Sequence, residues 1–236
     1  MKLTKIILPT LILIAGFISC KKDSTPDAAY TCTTCKTTPD AKAANDASNK
    51  GVYKGVIIGS SGTIMFDLQN NGTTITAIMV LDGVTVNLTA SVTLVAGQNY
   101  VAPFTGTLNG QPVSITFSVG AAGTTPTVTT SSIPGHQSSS FTIIKETSNS
   151  LVEAFEGTYA TTQPENGIFN LLLSRTLKLY GGTSRKNATT TNNPFNGIIN
   201  ANNELIDGAG KRIAILNGDV MTGGEVTLTL NARRTL

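Results

Sequence analysis

Tryptophan is absent from the 236 residues, histidine occurs once, and cysteine does not recur after residue 35. A lone His136 is too few for the histidine-rich sets that hold catalytic zinc. Charged residues make up only 13% of the chain, and from Gly51 onward acidic and basic residues balance, so no basic stripe exists to track phosphates. That argues against nucleic acid as a partner. The net charge of +3 comes largely from the first fifty residues. Long apolar runs are missing as well: Ile6 to Phe17 is twelve residues long, whereas a membrane-spanning helix needs about 20. Phosphate-cradling loops with lysine, EF-hand loops and His-Glu-x-x-His helices do not occur, and no cofactor is implied.

What is present begins with an address. Lys2 and Lys5 precede the short apolar run, and small Ser19 precedes Cys20, the pattern of a secretory signal over residues 1–19. Phe17-Ile18-Ser19-Cys20 resembles the lipobox of bacterial lipoproteins, although Phe17 stands where leucine is usual. The resemblance implies that Cys20 is diacylated and becomes the first residue of the mature chain. Two acyl chains hold a protein on a bilayer where one does not, since each buried methylene contributes about 0.8 kcal/mol. The Lys21-Lys22-Asp23 start and the Thr- and Asn-rich composition after it are similar to small lipoproteins of Bacteroidota-type bacteria. The implied location is the outer membrane, on its periplasmic face or at the cell surface.

Residues 20–50 read as a lipidated flexible tether, because Lys, Asp, Ala, Thr, Ser, Asn and Pro without apolar periodicity bury too little to offset ordering entropy. Fully extended, such a segment reaches roughly 100 Å. Cys32-Thr33-Thr34-Cys35 lies within it. A local disulfide comes first among its readings in an exported chain. Metal would need further ligands, and a thioredoxin-like role would need a strand-to-helix junction that nothing nearby supplies.

From residue 51 to 236 the pattern is period two. Ile64, Phe66 and Leu68 alternate with polar or small residues, as do Val84 to Leu94, Val113 to Val119 and Val226 to Leu230. Breaks at Asp82-Gly83, Asn109-Gly110 and Asn217-Gly218 supply residues suited to tight hairpins. The expectation is an all-β, antiparallel meander of about a dozen to fourteen strands, forming a barrel or sandwich. Only Ser150 to Phe155 reads as helix.

Two passages echo one another. "GVYKGVIIGSSGTIMFDL" (51–68) is matched by "GTYATTQPENGIFNLLL" (157–173), and "PFTGTLNG" (103–110) by "PFNGIINA" (194–201). Two related halves follow, 51–150 and 156–236, with Tyr53, Phe104, Gly106, Tyr159, Phe195 and Gly197 as structural anchors of the repeat.

Chemistry is thin. His136 sits in a Pro-Gly loop beside Ser138 to Ser140, and a serine neighbour is no triad without a carboxylate that orients the imidazole. Glu153 and Glu156, three apart, would share a face if 150–155 were helical. No catalytic residue is expected, and no metal ligand. The function expected is a non-enzymatic binding or structural β-domain displayed at the envelope, with an unidentified protein, glycan or small apolar molecule as partner. The alternatives are a lipocalin-like carrier of a small apolar ligand, whose barrel interior would be incompletely filled, and an envelope hydrolase.

Overall fold

The computed structural model describes residues 30–163, 165–225 and 228–236; Cys20 and the signal sequence lie outside these residues. Among the described residues there are sixteen strands and no α-helix. The first eight are β1 (Gly51–Ile58), β2 (Gly62–Leu68), β3 (Ile75–Leu81), β4 (Val84–Thr89), β5 (Tyr100–Leu108), β6 (Gln111–Val119), β7 (Thr127–Ser132) and β8 (Ser140–Lys145). They form one antiparallel sheet in the order β7-β6-β5-β4-β3-β2-β1-β8, rolled round a single core. The second eight are β9 (Glu153–Thr161), β10 (Asn166–Ser174), β11 (Leu179–Lys186), β12 (Asn193–Ile199), β13 (Glu204–Asp207), β14 (Arg212–Asn217), β15 (Val220–Glu225) and β16 (Leu228–Arg234), and they close completely, β16 pairing with β9. The all-β, antiparallel architecture of two similar halves is therefore present, as two barrels joined by residues 146–152.

The turns follow the local chemistry. Leu81 pairs with Val84 across Asp82-Gly83, and Leu108 with Gln111 across Asn109-Gly110. All four turn residues have positive φ, from 48° to 81°, which is the type I′ geometry that Asp-Gly and Asn-Gly favour.

Inward side chains of the first barrel fill it. Phe117 stacks on Phe66 with ring centroids 4.3 Å apart, and meets Tyr53 at 5.3 Å and Phe104 at 6.2 Å in edge contacts. Strand β1 is buried along its whole length. Tyr53 and Ile57 face the barrel core, while Val56 packs outward against Val152, Ala154 and Leu172 of the second barrel. Asn170 Nδ2 donates to the Ile57 carbonyl, and the Thr142 and Thr183 hydroxyls meet at 3.1 Å across the same junction.

The helix expected at 150–155 is instead a bridge between Thr147 and Ser150 followed by β9. Glu153, Ala154 and Phe155 are all buried, because one face of β9 lines its own barrel and the other lies against the first. A strand covered on both faces loses its alternation and imitates the buried side of a helix.

The tether also needs correction. From Tyr30 onward residues 30–50 lie against the barrels. Tyr30 Oη donates to the Arg234 carbonyl at 2.7 Å, the Asp40 N–H to Glu146 Oε1 at 2.7 Å, and Asn49 Nδ2 to the carbonyls of Val95 and Gln98 at 2.8 Å each. Polar bonds to distant carbonyls and to the Glu146 carboxylate hold the segment, and apolar periodicity gives no sign of such bonds. Cys32 and Cys35 form a disulfide, and the Cys32 N–H donates to Asp219 Oδ2 at 2.9 Å, which seats the small ring on the second barrel.

Candidate ligand site

An eight-stranded barrel is just wide enough to be filled by side chains or to hold one small ligand. The second barrel does both, at opposite ends. Its lower end is packed by Phe155, Leu173, Tyr180, Ile199 and Leu216, and is closed beneath by an ionic cluster. Glu153 receives Arg175 Nε at 2.7 Å and Arg234 Nη1 at 3.1 Å, and Arg234 also reaches Asp219 at 3.4 Å.

The upper end carries the β9–β10, β11–β12, β13–β14 and β15–β16 connections and holds a cavity of about 290 Å³. Phe169, Leu171, Phe195, Leu205, Met221 and Leu230 make its walls, and Tyr159, Glu165, Ser184 and Asn193 add polar groups. The inward side chains come from alternate positions on strands β9 to β16, so eight strands each contribute a little and none carries a motif. Phe169 and Phe195 stand 6.4 Å apart, edge to face, at one side. Tyr159 Oη lies 3.5 Å from Glu165 Oε1, and Glu165 in turn pairs with Lys186 at 3.3 Å. Burial raises the Tyr159 phenol pKa above its ordinary value, and the adjacent Glu165 charge adds to the shift.

Gly197 explains how the wall curves. Tyr180, its partner on β11, lies across it to donate to the Ile206 carbonyl at 3.2 Å. A Cβ at 197 would stand 2.1 Å from that carbonyl and 2.5 Å from the Tyr180 hydroxyl. The glycine is thus a barrel corner with an aromatic laid over it. Burial pushes the Tyr180 phenol up to about 12.

The other anchors fall in different places. Gly62 begins β2 beside Ile57, and Gly167 pairs with Tyr159. With those glycines aligned, Phe155 stands where Tyr53 stands, and Tyr159 where Ile57 does. Tyr53 is a core residue whose hydroxyl donates to the Asn49 carbonyl at 2.9 Å, whereas Tyr159 is half-buried beside the cavity. Phe104 and Gly106 are on the fifth strand of the first barrel, Phe195 and Gly197 on the fourth of the second. The likeness of the halves lies in their strand order.

The catalytic constellations do not assemble. Ser60, on the β1–β2 turn, meets His136 Nδ1 at 2.6 Å, but Asp82 approaches the same nitrogen at 3.7 Å. A relay needs hydroxyl and carboxylate on opposite nitrogens. Glu153 and Glu156, on a strand rather than a helix, point to opposite faces, one to the ionic base and one toward the first barrel, where it accepts from the Ser61 hydroxyl.

Sequence reasoning missed Phe169, Leu205, Met221 and Leu230 as site residues. Only Leu230 falls in a period-two run of the sequence, and which end of the barrel stays open depends on the register of eight strands at once. Comparison with known proteins gives no match among family models, curated proteins or solved structures.

Proposed function

We propose that this chain is a lipid-anchored, non-enzymatic binding protein of the cell envelope. Its second barrel takes a small apolar ligand through the upper end, and its first barrel is a filled scaffold. The observation that carries this reading is the contrast between the two interiors: four mutually packed rings in one, an apolar cavity of about 290 Å³ in the other. The volume lies near the lower limit of about 300 Å³ for small-molecule sites, which favours a compact ligand. Aromatic walls with a few polar groups suit an apolar body bearing one hydrogen-bonding end.

The test uses N-phenyl-1-naphthylamine, whose fluorescence rises in apolar surroundings. Leu230→Trp fills the cavity, and Ile213→Trp crowds its edge from a half-buried position. The expected result is saturable probe binding by the parent and at least a tenfold loss in both variants, a cost of about 1.4 kcal/mol or more. Since the parent has no tryptophan, each variant also reports directly on its own site. Unchanged probe affinity in both folded variants rejects the cavity as the site.

The envelope placement rests on the resemblance of residues 1–20 to a lipoprotein signal. With Cys20→Ser, the protein is expected to leave the membrane fraction and to lose the mass of its acyl chains. Equal membrane association of variant and parent would exclude the anchor.

A further inference from the structure

A second cleft, distinct from the apolar cavity, runs between the barrels. Its volume is about 600 Å³, and it is lined by the β1–β2 turn and Ser138 of the first barrel and by β9, β10, β11 and the start of the β11–β12 connection of the second. Its lining is hydroxyl- and amide-rich, including Ser60, Ser138, Asn187 and Thr189. The group that sets its chemistry is Arg185.

Arg185 is 6% exposed, and among the described residues no carboxylate lies within ion-pair distance of it. Among the described residues its one hydrogen bond runs from Nε to Asn192 Oδ1 at 2.8 Å, and none of them supplies an acceptor to the Nη groups, which carry four of its five N–H donors. Those Nη groups lie over Gly59, whose φ of +94° and missing side chain make room: a Cβ there would stand 2.1 Å from Nη1. Burial lowers the pKa of the guanidinium below its ordinary value. The Nη groups open on the cleft, so the cleft is where an acceptor for them would sit. Among the described residues the one carboxylate lining this cleft, Glu156, is engaged by the Ser61 hydroxyl at 2.5 Å.

We infer that the inter-barrel cleft binds an oxyanion-bearing ligand, with the Arg185 Nη groups as the fork that receives it. A planar guanidinium matches a carboxylate, sulfate or phosphate with two parallel bonds. The nearby Glu156 charge disfavours a bare polyanion, and the surrounding hydroxyls and amides favour an oxyanion carried on a hydroxyl-rich body such as a uronic acid. The site does not depend on the apolar cavity, since Arg185 projects from the outer surface of the barrel.

Titration calorimetry with sodium sulfate and with sodium glucuronate, at fixed ionic strength in a phosphate-free buffer, tests this on the soluble mature chain. Two variants accompany the parent. Arg185→Gln removes the fork. Asn192→Asp leaves the arginine in place but supplies the missing carboxylate 2.8 Å from Nε, so that the cation is satisfied internally. The expected result is glucuronate binding by the parent, weakened at least tenfold in both variants, with the melting temperature of Asn192→Asp equal to or above that of the parent. Sulfate binding as tightly as glucuronate assigns the site to a free inorganic oxyanion; glucuronate at least tenfold tighter assigns it to a saccharide carboxylate. The inference is overturned if neither anion binds with a Kd below about 10 mM, or if folded Asn192→Asp binds as the parent does.

Discussion

Glu146→Ala is expected to remove about 3–5 kcal/mol of stability, the cost of breaking a buried ion pair by deleting one partner. Glu146 is 0% exposed and Lys54 is 1% exposed, with Nζ to Oε2 at 2.6 Å. The carboxylate also accepts the N–H groups of Val152 at 2.9 Å and Asp40 at 2.7 Å, so it joins the first barrel, the connection between barrels and the N-terminal segment. Its loss leaves an ammonium whose one remaining carboxylate among the described residues is Asp40 at 3.7 Å, together with two unpaired N–H groups. Each unpaired donor costs about 1–3 kcal/mol if it stays buried, and that cost forms part of the total, which is why it belongs at the upper end of single-substitution effects. Urea unfolding measures it. Replacing both charges, as Lys54→Met with Glu146→Leu, is expected to recover part of the loss, because no buried charge remains, but not all of it, because the two N–H groups still lack an acceptor. A loss below about 1 kcal/mol for Glu146→Ala would mean that water reaches the pair and that it is not a buried clamp.

Phe117→Ala is expected to cost a similar amount, about 3–5 kcal/mol, as for other fully buried phenylalanines truncated in a packed core. Phe117 touches three other rings, and the edge and stacked contacts add to the loss of buried area. Phe195→Ala provides the contrast. That ring is half-buried and borders an existing cavity, so its removal enlarges a space instead of opening one, and less than half the cost is expected. The two variants separate by function as well. Probe affinity should survive Phe117→Ala under folding conditions and fall with Phe195→Ala. Equal stability losses, or loss of probe binding from Phe117→Ala while the protein is folded, would contradict the division into scaffold and binding barrel.

Much of the fold is legible residue by residue. Alternation in β2, β4 and β6 and the Asp82-Gly83 and Asn109-Gly110 turns are local facts, set by side-chain period and by φ preference, and the structure bears them out, except that β4 ends at Thr89 where the alternation runs on to Leu94. The expected dozen to fourteen strands fall short of sixteen because β7, Thr-Val-Thr-Thr-Ser-Ser, has little apolar character, and because the start of β9, covered on both faces, reads as helix. Each of those strands is made by neighbours rather than by its own pattern.

The candidate sites are further from the sequence still. Aromatic residues at Tyr159, Phe169 and Phe195 could be listed from the chain, but only the closing of β16 on β9 brings them round one cavity. Arg185 reads as half of a short basic pair with Lys186, a surface feature by composition. In the fold both border the inter-barrel cleft, but only Lys186 has a carboxylate partner among the described residues, Glu165 at 3.3 Å. Composition and period thus specify an all-β chain with tight hairpins, since both act within a few residues. Which faces are covered, which barrel is left partly empty, and which cation is turned into a cleft between the barrels depend on contacts between residues about a hundred positions apart, and those arise only when the two barrels and the segment from Tyr30 pack together.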